Sequence, residues 1–284
     1  MLLIVGYVIV LAASIGTYAM HGSLMALWVP VEYLAIFGLM VGGFVAGNSP
    51  RMMKSTLKAL PTALKGGRYN KALYMNLLAL LYELLAKVRK EGLMAIEDDV
   101  ENPESSALFS KYPDVLADRQ AVEFLTDYLR MMVGGNLNAF EIEALMDMEI
   151  ETHHSEAQGP ADVVSKVADA LPAFGIVVAV MGVVNVMGSV GEPPAVLGKM
   201  LGGALVGTFL GILLSYGFVQ PIAFQLAQRC DEGSKIFQCI KAVLLASLNG
   251  YAPQVAIEFG RKVLYSTDRP TFLELEEDIK DRKK

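Results

Sequence analysis

Charge is scarce in this 284-residue chain: only 19% of its residues are Asp, Glu, Lys or Arg, and 24 basic against 30 acidic residues leave a net charge of -6. A chain that grips nucleic acid neutralises phosphates with a basic surplus, and none exists here, so nucleic acid is excluded as a partner. Cysteine is scarcer still. Cys230 and Cys239 are the only two, too few and too close for a disulfide-stapled secreted fold or a four-ligand zinc site, and both read as reduced, structural residues. Of three histidines, His153 and His154 are adjacent. On a helix they point about 100° apart and cannot converge on one metal as an i, i+4 pair would; they read as a solvated helix end. The GxxxxGK[ST] loop, the GxGxxG turn, the GxSxG elbow and the HExxH pair are all missing. The expectation is a chain that is not an enzyme and holds no cofactor or metal.

Apolar residues are abundant instead, at 54% hydrophobic with a mean hydropathy of +0.42. A bilayer core about 30 Å thick needs about 20 apolar residues in a helix, and four such runs occur, at 1–20, 31–47, 171–191 and 200–224. They fall into two hairpins. The short connectors carry one basic residue, Lys199, whereas residues 48–170 carry 13 and residues 225–284 carry 10. The positive-inside rule then places both polar regions and both termini in the cytoplasm. Trp28 and Tyr18, near the outer ends of the first pair, suit interfacial aromatics.

The polar region reads as helical. Leu73, Leu77, Leu80, Leu81, Leu84, Leu85 and Val88 recur every three or four residues, giving one apolar face ended by Gly92. Asn102-Pro103 and Tyr112-Pro113 suit helix starts, Gly134-Gly135 a break, and Gly159-Pro160 the start of a short helix leading into the third span. Nothing alternates at period two, so no sheet is predicted. The fold class is an all-α integral membrane protein: a transmembrane hairpin (1–47), a large helical cytoplasmic domain (48–170), a second transmembrane hairpin (171–224) and a helical cytoplasmic tail (225–284).

Ionisable groups inside a membrane mark ion pathways, yet the span interiors have none. Glu32 is the one exception, at the outer edge beside Pro30, where it reads as interfacial. A complete proton relay is therefore missing, and a partner should supply the intramembrane carboxylate. Gly203, Gly207 and Gly211, Gly198 and Gly202, and Gly38/Gly42 with Gly43/Gly47 repeat at spacings of four. Such small residues let helices pack closely, either within the chain or between copies around a partner helix. Pro172 suits a first-turn proline, whereas Pro221 interrupts a continuing apolar pattern and predicts a kink. Seven acids and no Lys or Arg lie between Met131 and Ser165, and Lys87, Arg89 and Lys90 precede Glu97, Asp98 and Asp99. Such runs are either wet faces or electrostatic docking sites.

The stretches LPAFGIVVAVMGVV (171–184), VGTFLGILLSYGF (206–218), FEIEALMDMEIETHHSEA (140–157), NGYAPQVAIEFGRKVLYS (249–266) and RPTFLELEE (269–277) resemble the MotA family of flagellar stator proteins, over nearly the whole chain. That resemblance implies a proton-conducting complex in the bacterial inner membrane: a homo-oligomer, expected to be a pentamer, around a dimer of MotB, which brings a membrane aspartate and a peptidoglycan anchor. It implies that Arg89 in AKVRKEG and Glu97 in AIEDDVENP act on the rotor protein FliG, and that Pro172 and Pro221 couple ion passage to conformational change. Sodium-driven relatives carry threonines at two pore-facing positions that match Ala179 and Thr208; Ala179 offers no oxygen, so the expected ion is the proton. Counting helical rise puts Ala179 about 10 Å and Thr208 about 20 Å from the cytoplasmic ends, so spacing alone does not bring the two together. The rivals are an ExbB or TolQ-like energising subunit, whose relatives have three spans, and a passive membrane scaffold.

Overall fold

The computed structural model describes residues 2–64, 67–135 and 138–282, and they divide into two compact units, 1–66 with 157–229 and 67–156 with 230–284. Among the described residues the secondary structure is helix and turn, with no strand.

The first unit holds the four long apolar helices. Helix α1 (Leu2–Ala19) has no charged residue and contains one wide turn at Ala12–Gly16. There the Ser14 and Thr17 hydroxyls donate to the carbonyls of Val10 and Ala13 at 2.6 and 2.5 Å. Helix α2 (Pro30–Gly47) starts on a proline whose missing N–H costs nothing at that position. It ends where the Asn48 amide donates to the Phe44 carbonyl at 2.8 Å. Two residues later the amphipathic helix α3 (Pro50–Leu64) begins.

The second unit has the larger core. Helix α4 (Lys71–Glu91) is capped by the Asn70 side chain, which accepts from Leu73 N–H at 3.0 Å, and is closed by Gly92 at φ 90°. Leu77, Leu78, Leu80, Leu81 and Leu84 on this helix are essentially inaccessible to solvent. They pack with Phe109, Tyr112, Leu125, Leu129, Ile236 and Ile240. After the short helices α5 (Glu97–Glu101) and α6 (Pro113–Leu116), helix α7 (Arg119–Gly134) starts on Asp118 and ends at Gly135, whose φ of 67° favours glycine.

Helix α8 (Ala139–Gly188) opens with a reciprocal cap: Asn138 and Glu141 each donate a backbone N–H to the other's side chain at 3.0 Å. It contributes its first part to the second unit and its remainder to the first. Helix α9 (Pro194–Leu214) continues through a wide turn at Ser215–Val219 into α10 (Gln220–Leu248), which is likewise divided between the units. Helices α11 (Pro253–Val263) and α12 (Phe272–Arg282) complete the second unit.

Three local expectations are corrected. Gly159-Pro160 starts no helix, because α8 runs straight through it. Ala161 and Val164 pack against Ala63, Ala223 and Leu226, and the Met52 side chain fills the space beside Gly159, where a Cβ would lie 2.8 Å from its methyl group. That packing outweighs a proline penalty of about 3 kcal/mol. Asn102-Pro103 terminates α5 rather than opening a helix. His153 and His154 lie in the interior of α8, not at a solvated end: His153 packs on Phe237 with ring centroids 4.5 Å apart, and His154 Nδ1 is 2.8 Å from the Ser234 hydroxyl. Burial lowers the pKa of His153.

Candidate functional site

Helices α8 and α9 approach until their backbones touch. A Cβ on Gly175 would lie 2.7 Å from the Gly207 carbonyl and 3.0 Å from the Gly211 Cα, and one on Gly211 would lie 2.7 Å from the Leu171 carbonyl. One on Gly182 would meet the Ala204 Cβ at 2.6 Å. Only glycine fits at these three levels, so the contact is written into residue type. Gly38, Gly42, Gly47, Gly198 and Gly202 have nothing within 4 Å. The glycine pattern thus separates into residues that close the α8/α9 contact and residues that leave a smooth surface open.

This contact fixes the depth of the two pore-facing candidates. A Cβ on Gly207 would lie 3.4 Å from the Ala179 backbone nitrogen, and Thr208 is the next residue along α9, its Cα 3.3 Å from the Cβ position of Gly175. Ala179 and Thr208 therefore stand within one helical turn of the same level. Counting from Phe224 separated them because that residue marks no depth: the Leu171 carbonyl lies opposite Gly211, well before it.

Both prolines sit inside continuous helical paths. Pro172 is in the interior of α8, not its first turn, so the Ala168 carbonyl loses its usual i+4 donor. The Ser215 hydroxyl replaces it, donating at 2.6 Å from a fully buried side chain. Ser215 also opens the wide turn that ends two residues before Pro221. That turn gives the Pro221 ring room without breaking the helix, and the Phe218 carbonyl within it accepts from the Tyr7 hydroxyl at 2.7 Å. Nothing local in the sequence singles out Ser215; a proline on one helix opposite a serine on its partner is the signal that finds it.

Glu32 is more enclosed than an interfacial residue. It occupies the first turn of α2, yet its carboxylate reaches the α8/α9 pair: Oε2 is 3.3 Å from where a Gly207 Cβ would stand and Oε1 is 3.6 Å from that of Gly182. The absence of side chains at those two glycines makes its room. The same carboxylate lines a cleft of about 1440 Å³ with Ser14, Thr17, Asn185 and Lys199, so the only acid of the four spans borders a polar-edged opening.

In the second unit, Arg89 is exposed in the last turn of α4 and Glu97 is exposed at the start of α5, across the turn at Gly92. Some neighbouring charges are paired internally. Lys87 pairs with Asp99 at 2.7 Å, Asp99 also accepts from the Ser106 hydroxyl, and Lys90 lies 3.6 Å from Glu91. Among the described residues Arg89 and Glu97 have no ion-pair partner, and the exposed side chain of Met94 lies between them in sequence. The acidic stretch on α8 is partly spent in the same way: Lys241 reaches Asp147 at 2.6 Å and Glu143 at 3.5 Å, and the Tyr128 hydroxyl donates to Glu149 at 2.7 Å. Among the described residues no group of three His, Cys, Asp or Glu is arranged to hold a metal.

Two family descriptions match this chain, "Motility protein A N-terminal" over residues 4–92 and "MotA/TolQ/ExbB proton channel family" over residues 117–238. Motility protein A of Escherichia coli is 53% identical over 281 residues, covering 99% of this chain and 95% of that protein. Motility protein A of Salmonella typhimurium is 51% identical with the same coverage. Among solved structures, MotAB of C. jejuni superimposes with a TM-score of 0.76 at 20% identity, covering 95% of this chain and 98% of that one. The MotAB stator complex of Bacillus subtilis gives 0.70 at 23% identity, covering 98% of both.

Two tests follow from the helix contact. Gly211→Val should force α8 and α9 apart and abolish function with sharply reduced thermal stability in detergent, whereas Gly198→Val, on open surface, should leave that stability within about 0.5 kcal/mol. Ser215→Ala should cost about 1–3 kcal/mol by orphaning the Ala168 carbonyl. In a Pro172→Ala background, which restores the missing N–H, most of that cost should vanish; an equal cost in both backgrounds would break the link between the two residues.

Proposed function

This chain belongs to the MotA branch of the MotA/TolQ/ExbB proton channel family, and from that membership we propose how it works as a membrane-embedded proton-channel subunit of the flagellar stator. Several copies, five in our reading, surround a dimer of a MotB-type partner in the bacterial inner membrane. Both termini and the second unit are cytoplasmic. The open glycines Gly198 and Gly202 suit close approach by a neighbouring helix.

The observation that carries this reading is the common level of Ala179 and Thr208 beside a helix contact that only glycine permits. At that level the chain offers the Thr208 hydroxyl and the Glu32 carboxylate, whose Oε2 stands 3.3 Å from the Gly207 Cβ position; the acid that binds the transported ion is the partner's aspartate. Glu32 adds this chain's own carboxylate beside Gly182 and Gly207, where it borders the cleft and draws cations inward. A dehydrated sodium ion needs several oxygen ligands, and Ala179 supplies none; a proton needs only the carboxylate and a path of water.

One elementary charge crossing 100 mV releases about 2.3 kcal/mol. That is enough to bias a two-state element but too little for a large rearrangement. Protonation of the partner aspartate removes its charge and changes its fit against the Ala179 and Thr208 wall. Pro172 and Pro221 form the responsive element. Around them two backbone carbonyls are served by the Ser215 and Tyr7 side chains, which exchange partners at lower cost than a continuous ladder. Each small step then swings Arg89 and Glu97 against the rotor protein FliG; Lys87 and Asp99 pair with each other, and Arg89 and Glu97 remain among the presented charges.

In vesicles holding this chain with its MotB-type partner, proton influx is expected to vanish when the partner aspartate becomes asparagine and to fall severalfold with Glu32→Gln. Rapid influx through this chain alone would refute the borrowed-acid mechanism. Charge reversal at Arg89 or Glu97 should reduce swimming torque while membrane assembly stays intact; unchanged motility in both variants would remove them from the rotor contact. Swimming measured as sodium is withdrawn at constant pH should persist, and its loss would overturn the argument from Ala179.

A further inference from the structure

Helix α3 begins at Pro50, three residues beyond the end of the second apolar span at Gly47. An extended chain covers at most about 3.6 Å per residue, so α3 starts within about 11 Å of the span's end, where the headgroup region of a leaflet lies. Its sequence has no acid, and none occurs anywhere from Tyr33 to Tyr82, while Arg51, Lys54, Lys58, Lys65, Arg68 and Lys71 all fall in that interval.

The helix divides its residues among three strips. Met52, Thr56, Ala59 and Ala63 are the inward strip: Thr56 and Ala63 are buried, and Ala59 and Ala63 join a cluster with Ala161, Val164, Ala223 and Leu226. Arg51, Lys54 and Lys58, spaced by three and four, form an exposed cationic strip on the far side. Between the two lie Leu57 and Leu64, seven apart, both more than half exposed. Inward packing therefore leaves a surface with apolar side chains on one edge and ammonium groups on the other. That is the pattern of a helix lying in a membrane interface, with leucine at the acyl boundary and lysine stems reaching headgroups.

We propose that the exposed face of α3 docks on anionic phospholipid headgroups of the adjoining leaflet, with Lys54 and Lys58 on phosphate oxygens and Leu57 at the acyl boundary. Three features favour a lipid surface over an acidic protein: the tether to the span is only two residues long, exposed leucines flank Lys54 and Lys58, and α3 carries no acid of its own. Docking holds the α3 face of the Ala161–Val164 segment, about two helical turns before Pro172 on α8, against the membrane. The proposal rests on the membrane-spanning reading above and extends it to lipid choice.

The test uses the full-length chain in phosphatidylcholine vesicles doped with headgroup spin-labelled phosphatidylglycerol or phosphatidylcholine, read by tryptophan quenching. One arm uses native Trp28, the only tryptophan, and the other uses Leu57→Trp in a Trp28→Phe background. The introduced indole should be quenched at a lower mole fraction of labelled phosphatidylglycerol than of labelled phosphatidylcholine, by about fivefold for each lysine engaged. The difference should shrink in 0.5 M salt, as expected of exposed charges at roughly that ionic strength, and be lost with Lys54→Gln/Lys58→Gln. Equal quenching by both lipids, or a preference that survives the double substitution, overturns the proposal and returns the lysines to a protein partner. If native Trp28 is quenched and the introduced indole is not, only the docking fails; if neither is quenched, the membrane reading fails with it.

Discussion

Helices α8 and α9 touch backbone to backbone at Gly175, Gly182, Gly207 and Gly211, and nearly every other feature of the first unit takes its position from that contact. In hydrocarbon there is little hydrophobic force between helices, so association depends on packing and on polar groups finding partners. Removing four side chains supplies the packing. It also brings the Ser215 hydroxyl to the Ala168 carbonyl and gives the Glu32 carboxylate room beside Gly182 and Gly207. A methyl group at Gly211 would meet the Leu171 carbonyl, and one at Gly207 would crowd the Glu32 carboxylate and the Ala179 backbone.

The unit uses polar groups sparingly. Pro172 leaves a vacant carbonyl and Pro221 is preceded by a loosened turn, and each is matched by one hydroxyl from another helix, Ser215 and Tyr7. A backbone polar group in lipid has no water to turn to, which explains why the hydroxyls are placed here. The second unit follows a different logic, with a leucine-rich core and ion pairs at its surface.

The helical fold and the four spans were legible because a bilayer demands long apolar runs and α4 keeps strict helical spacing between an asparagine cap and a glycine stop. Punctuation was less reliable. Gly159-Pro160 looked like a boundary, but packing of Ala161 and Val164 overrode it, and Asn102-Pro103 proved an ending rather than a beginning. His153 and His154 looked solvent-facing because the partners that shelter them, Phe237 and Ser234, lie some eighty residues away in the chain. The same long-range pairing hid the shared level of Ala179 and Thr208, the enclosure of Glu32 and the role of Ser215. Each depends on the register of α8 against α9, which no local pattern encodes.

The first unit is assembled from two stretches of chain that flank most of the second, residues 1–66 and 157–229. During synthesis at about 5–20 residues per second, the opening hairpin is complete on the order of ten seconds or more before the helices that receive it emerge. Throughout that interval Glu32 has no glycine-lined niche, and the Tyr7 hydroxyl has no carbonyl to meet. The nascent hairpin must therefore wait in the bilayer as a lone pair carrying an unsheltered acid at its rim. Insertion order, and not only final packing, then constrains where along these helices a charge can be tolerated.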